Sequence, residues 1–122
     1  MTDDRLLAAT NALIHQLSGD VRIGSLLKGK NVHVSFVTQI ELLSWPGYTA
    51  KERAVVAAQI KEFVIMDASG SIKQIAIDLR IRHKLKLADA LIAATAIHLN
   101  IPLVTEDKHF KRLKDELAIY WV

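Results

Sequence analysis

Short apolar runs bounded by polar turns recur along this chain, with stretches of helical spacing between them. Residues 5–9 are a first apolar run that reads as a strand, and Thr10-Asn11 offers an N-cap for a helix over 12–17. Ser18-Gly19-Asp20 makes a turn before a second helical stretch at 21–27. Gly29-Lys30-Asn31 then breaks the chain ahead of an alternating strand at 32–35. Helical spacing returns at 38–45, where Ile40, Leu42 and Leu43 fall on adjacent faces, until Pro46-Gly47 ends it. Thr49, with Glu52 three residues on, has the capping-box pattern and opens a helix running to about residue 62. Residues 63–66 are all apolar, as expected of a strand buried on both faces. Ser69 or Ser71 opens the next helix, in which Ile72, Ile75, Ala76, Leu79 and His83 recur at i, i+3, i+4, i+7 and i+11. A nearly all-apolar helix runs from Leu87 to about Asn100. A strand at 103–105, a short basic segment and a last strand at 118–121 follow.

Strands separated by helices imply an α/β fold: a mostly parallel sheet of about five strands, joined by crossovers, with helices on both faces. No repeat, low-complexity tract or linker interrupts the 122 residues, so residues 1–122 are expected to form one domain. Hydrophobic residues make up 51% and charged ones 24%, the balance of a folded protein rather than a disordered one. Cysteine is absent, which excludes disulfides, thiolate catalysis and Cys-based zinc sites. No apolar run reaches bilayer length, and Met1-Thr2-Asp3-Asp4 is acidic, unlike a signal peptide. A cytoplasmic protein without a membrane partner is the simplest expectation.

Residues 87–110 carry the first chemical lead. Asp89 stands near the start of the apolar helix, and Asp107 follows directly on the strand Leu103-Val104-Thr105. Buried carboxylates meet a cation or a strong donor, so two acids at the rim of a hydrophobic αβ unit suggest a metal site. In parallel sheets the functional crevice lies beyond the carboxyl ends of the strands. Glu41, one turn into the helix after the second strand, can lean over the same edge, so three carboxylates from remote segments converge on one crevice. The net charge of +3 is mild, but its distribution is telling. Arg80, Arg82, His83, Lys84 and Lys86 precede Asp89, and Lys108, His109, Lys111, Arg112 and Lys114 follow Asp107. Basic clusters flanking acids suit a polyanion whose phosphate is held by metal; solvated helix faces are the plainer account.

Four segments resemble the PIN-domain nucleases, in particular the small VapC-type toxins of bacterial toxin–antitoxin systems. They are Leu6-Leu7-Ala8-Ala9-Thr10-Asn11-Ala12-Leu13-Ile14, Ser35-x-x-Thr38-x-x-Glu41-Leu42, Leu87-Ala88-Asp89-Ala90-Leu91-Ile92-Ala93-Ala94-Thr95-Ala96, and Leu103-Val104-Thr105-Glu106-Asp107-Lys108-His109-Phe110. The resemblance covers essentially the whole chain and implies a three-layer α/β/α sandwich. It also implies Mg²⁺- or Mn²⁺-dependent cleavage of RNA, a cognate antitoxin as partner, and room for a homodimer. By the same resemblance Glu41, Asp89 and Asp107 are the catalytic and metal-binding acids. Thr10, Asn11, Ser35 and Thr105 are donors that orient them, or else caps and strand-end hydrogen bonds. Lys108, Lys86 and Arg82 are the expected nucleic-acid contacts.

One position departs from the family pattern. Where relatives carry Asp-Thr-Asn, this chain has Ala9-Thr10-Asn11, so the first of four acids is missing. The chain is therefore expected to bind divalent metal poorly and to cleave RNA barely or not at all. Ala9 is either an introduced substitution that spares the producing host an active toxin, or a natural loss of catalysis with binding retained. A non-catalytic module of this fold, binding RNA or an antitoxin, is the alternative reading. A signalling domain with a phosphorylated strand-end Asp ranks far behind, because neither Ala9 nor Phe36 can accept phosphate.

The five histidines show no metal-ligand spacing with one another; His109 is set aside as a phosphate contact, and His33, His83 and His98 as face or core-edge residues. Glu106 should point away from Asp107, and mid-helix Asp78 should be exposed. Trp45-Pro46-Gly47-Tyr48 with Val55, Val56 and Ile60 forms either an apolar clamp for an antitoxin peptide or second subunit, or plain core.

Overall fold

Alternation along the first strand sets the layers. The computed structural model describes residues 3–122, so the part of the N-terminal reading that rests on Met1-Thr2 lies outside the described residues. In β1 (Arg5–Ala8), Leu6 and Ala8 join one hydrophobic cluster, while Leu7 joins the opposite one together with Ala9. Such two-sided burial is what period-2 geometry gives a strand covered on both faces. The first cluster packs beneath α1 (Thr10–Leu17), α2 (Val21–Leu27), α3 (Phe36–Leu43) and α4 (Ala50–Ile60). The second lies under α5 (Gly70–His83), α6 (Leu87–Leu99) and a 3₁₀ helix, Lys108–Leu113.

The sheet runs β3-β2-β1-β4-β5, with β2 (Asn31–Ser35), β3 (Val64–Met66), β4 (Leu103–Thr105) and β5 (Ile119–Trp121), and every pairing is parallel. Leu7 pairs with His33 on one side and Leu103 on the other, which makes β1 central. The expected α/β/α sandwich with five strands is therefore present. Among the described residues no helix is long and apolar enough to cross a membrane.

Several element boundaries differ from the sequence reading. The third strand was expected to be buried on both faces, but β3 is an edge strand with Val64 exposed. Apolar composition alone does not separate a central strand from an edge packed on one side. β2 runs straight into α3, because the Ser35 hydroxyl accepts the Val37 N–H at 3.1 Å and starts the helix two residues early. Similarly, α1 begins at Thr10, so its N-cap is Ala9 rather than Thr10 or Asn11, and Ala9 provides no side-chain cap. The Thr49–Glu52 capping box forms as expected. Asn100, in the left-handed region at φ 54°, ends α6 and turns the chain toward β4.

Candidate metal centre

The chain leaves β1 toward β2 and β3 on one side and returns to β4 and β5 on the other. The order reverses between β1 and β4, and a crevice forms beyond their carboxyl ends, where parallel sheets hold ligands. Residues just past β1, just past β4 and in the first turn of α6 meet there. A cleft of about 200 Å³ is lined by Ala9, Thr10, Asn11, Glu41, Asp89 and Asp107, with Ile14, Trp45, Ile92 and Phe110 as apolar walls. Glu41, Asp89 and Asp107 thus converge as expected, and the alanine at position 9 lies among them, 1% exposed.

Each acid is held differently. Glu41 Oε1 accepts the Thr10 hydroxyl at 2.7 Å, and Thr10 also shares a hydrogen bond with the Thr38 hydroxyl at 3.0 Å. The Asn11 amide donates to Thr105 Oγ1 at 3.3 Å, and that hydroxyl accepts the Asp107 N–H at 3.0 Å. Asn11 and Thr105 therefore fix the backbone from which Asp107 projects. Asp107 in turn caps the 3₁₀ helix, its Oδ1 accepting the His109 N–H at 2.9 Å. Ser35, by contrast, only caps α3.

Asp89 carries the electrostatic signature. Its carboxyl is raised above the usual range, first by burial, then by the neighbouring Asp107 charge and, more weakly, by Glu41; His109 and Lys86 oppose the shift. A carboxyl that resists ionisation beside two other acids is one that a divalent cation would relieve. Asp89, Asp107 and His109 each offer a ligand atom within 4.8 Å of the others, so the residues present fit a divalent cation. His109 was not expected there. A comparison of histidines with one another misses it, whereas Asp107-x-His109 was visible.

The raised Asp89 pKa has a signed consequence for stability. The folded state binds the proton more tightly than the unfolded one, so the metal-free protein loses stability as pH rises through the Asp89 titration. Asp89→Asn is accordingly expected to raise the melting temperature at neutral pH in chelator, and the gain should vanish as the pH falls below 3.8, the ordinary Asp value. Thermal melts across that range check it; a constant gain at all pH values contradicts it.

The basic residues divide. Lys86 is the N-cap of α6, and beside it Lys84, His109 and Arg112 line a small pocket of about 110 Å³ that also touches Asp89. Lys108 opens the 3₁₀ helix next to Asp107. The Arg82 guanidinium is engaged by Asp78 and Glu116, and His83 pairs with Glu116 at 2.7 Å. Glu116 is 34 residues away in sequence, so no local pattern announced that network. Glu106 turns away from the cleft to His15, at 3.0 Å. In the apolar clamp, Val56 and Ile60 are core, while Val55 and Trp45 are 59% and 41% exposed beside a groove of about 390 Å³.

Comparison with known proteins places the fold in a family. The family model described as the PIN domain matches residues 7–116. No curated protein matches the sequence significantly. Among solved structures, a chain of a toxin–antitoxin complex from Klebsiella pneumoniae is 26% identical, with a TM-score of 0.82, 96% of this chain and 99% of that one being covered. A chain of DNA-bound VapBC from Salmonella typhimurium gives a TM-score of 0.82 at 19% identity, covering 95% and 96%. VapBC2 from Rickettsia felis, bound to a DNA fragment from its promoter, gives 0.79 at 21%, covering 95% and 97%. The last two likenesses show a shared fold.

Proposed function

The chain belongs to the PIN-domain family, and from that membership and the acid-lined cleft we propose that it is a VapC-type toxin fold built to hydrolyse RNA phosphodiester bonds with Mg²⁺ or Mn²⁺, in a form that Ala9 disables. One observation carries this reading. Three carboxylates from segments far apart in sequence line one cleft with position 9, at the switch point of a parallel sheet. The whole chain serves as the one catalytic domain.

Glu41, Asp89 and Asp107 would hold the cation. When bound, it lowers the pKa of a coordinated water and offsets charge on the phosphate. Thr10 steers Glu41, and the Asn11–Thr105 pair steers Asp107. Lys86 and Lys108 flank the acids and attract the phosphate backbone, a term that weakens with salt. Arg82 adds to the positive field only at a distance, since two carboxylates already bind it. Without an oxygen at position 9 the cation would sit off-centre, and a displacement of ~1 Å costs on the order of a hundredfold in rate.

The antitoxin is the proposed partner of the groove formed by Ile14, Leu17, Trp45, Tyr48 and Val55. Its exposed apolar side chains lie beside the acid cleft and share Ile14 and Trp45 with it. That the similar structures are toxin–antitoxin complexes supports this partner.

The alternative, a non-catalytic module that keeps RNA or antitoxin binding, rests on Ala9 itself. RNA binding is expected of the nuclease reading and of the RNA-binding form of the alternative, and can be tested on the chain as it stands. A structured RNA should be retarded in a mobility-shift titration. The double variant Lys86→Glu, Lys108→Glu should weaken it about tenfold or more and reduce the salt slope by about 2. No retardation, or no effect of the variant, contradicts an RNA-directed site. Restored cleavage on repair of position 9 separates the two readings.

A further inference from the structure

We infer that the surviving cleft is a two-aspartate, one-histidine site, in which His109 supplies a nitrogen ligand and shifts the preferred cation from Mg²⁺ to an imidazole-accepting ion such as Zn²⁺. The inference rests on the reading of the cleft as a cation site and concerns which ion it takes.

Geometry selects these three residues. The ligand atoms of Asp89, Asp107 and His109 lie within 4.8 Å of one another. With bonds of ~2.1 Å, ligands around one ion stand about 3–4 Å apart, so a small turn of the exposed imidazole closes the set. The 3₁₀ helix brings positions 107 and 109 side by side, with Asp107 Oδ1 3.0 Å from His109 Nδ1. Glu41 lines the same cleft but gives one carboxylate oxygen to the Thr10 hydroxyl. Position 9 offers no side-chain ligand atom, and its carbonyl oxygen accepts the Leu13 N–H.

Chemistry then selects the ion. Mg²⁺ prefers hard oxygen ligands in near-octahedral order, and an imidazole nitrogen set between two aspartates is a poor ligand for it. Imidazole suits zinc and other transition ions, and three protein ligands with an open position is the usual pattern of a catalytic zinc site. Asp89 and Asp107 alone balance the charge of a divalent ion, while Glu41, tied to the Thr10 hydroxyl, stands at the edge of the set.

Calorimetric titration of the full chain with ZnCl₂ and MgCl₂, together with the visible absorption of added Co²⁺, tests this without any activity assay. His109→Ala and His109→Gln should each lose at least tenfold in Zn²⁺ and Co²⁺ affinity and change the Co²⁺ spectrum. His15→Ala, which removes another carboxylate-paired histidine, should leave both as they were. Mg²⁺ should bind far more weakly, and equally to all four proteins. Unchanged Zn²⁺ and Co²⁺ affinity in the His109 variants overturns the histidine ligand while leaving the cleft as a cation site. Unchanged Zn²⁺ affinity in Asp89→Asn and Asp107→Asn overturns the cleft itself, and with it the proposed function.

Discussion

Ala9→Asp is expected to convert this chain into a metal-dependent ribonuclease, with cleavage of a structured RNA at least about a hundredfold above that of the parent. The structure gives two reasons. Ala9 directly follows the central strand and lines the same cleft as Glu41, Asp89 and Asp107, so a carboxylate placed there is expected to join that cluster. The same residue is the N-cap of α1 with no side-chain cap, a position where aspartate is favoured by ~1 kcal/mol. Like-charge repulsion and burial oppose that gain and, in several-acid clusters, exceed it. The variant should therefore melt lower than the parent in chelator and higher in excess Mn²⁺. Cleavage assayed with Mg²⁺ or Mn²⁺, and with chelator as control, checks the activity. No cleavage in any of these conditions favours the non-catalytic module.

Phe110→Ala should destabilise the protein by about 3–5 kcal/mol, against a typical total of ~5–15 kcal/mol. Phe110 is 1% exposed and belongs to the cluster formed with α5 and α6. Together with Leu113 it pins the 3₁₀ helix, and it also walls the cleft beside Asp107. Truncation leaves a cavity beneath the segment that carries Asp107 and His109. Urea unfolding measures the loss, and cation affinity should fall with it. A shift below ~1 kcal/mol would show that the 3₁₀ helix is held by something other than this ring.

What was legible in the sequence follows from what is local. Thr49 with Glu52 encodes its cap in four residues, and the box forms. Asp89 and Asp107 announced themselves because charge is rare in an apolar αβ unit, and parallel topology then put Glu41 at the same edge. Features that depend on neighbours were hidden. Val64-Ile65-Met66 is as apolar as a central strand, yet strand order makes it an edge. The two helices that follow β1 and β2 start early because each strand enters its helix without a loop, through Ala9 and Ser35. Arg82 looked free for nucleic acid until folding brought Glu116 to it. His109 was missed because the groups near it are carboxylates, one two residues back in the chain and one across the cleft.

In the proposed site, position 9 is the open corner of a cation pocket walled by Glu41, Asp89 and Asp107. Titration of isotope-labelled Ala9→Asp protein with Mn²⁺, followed by amide resonance broadening, locates the bound ion. Substoichiometric Mn²⁺ should first bleach the amides around positions 9, 41, 89 and 107, while residues at the opposite end of the sheet, such as Asn31, stay sharp. Broadening centred elsewhere, or none at all, would contradict it.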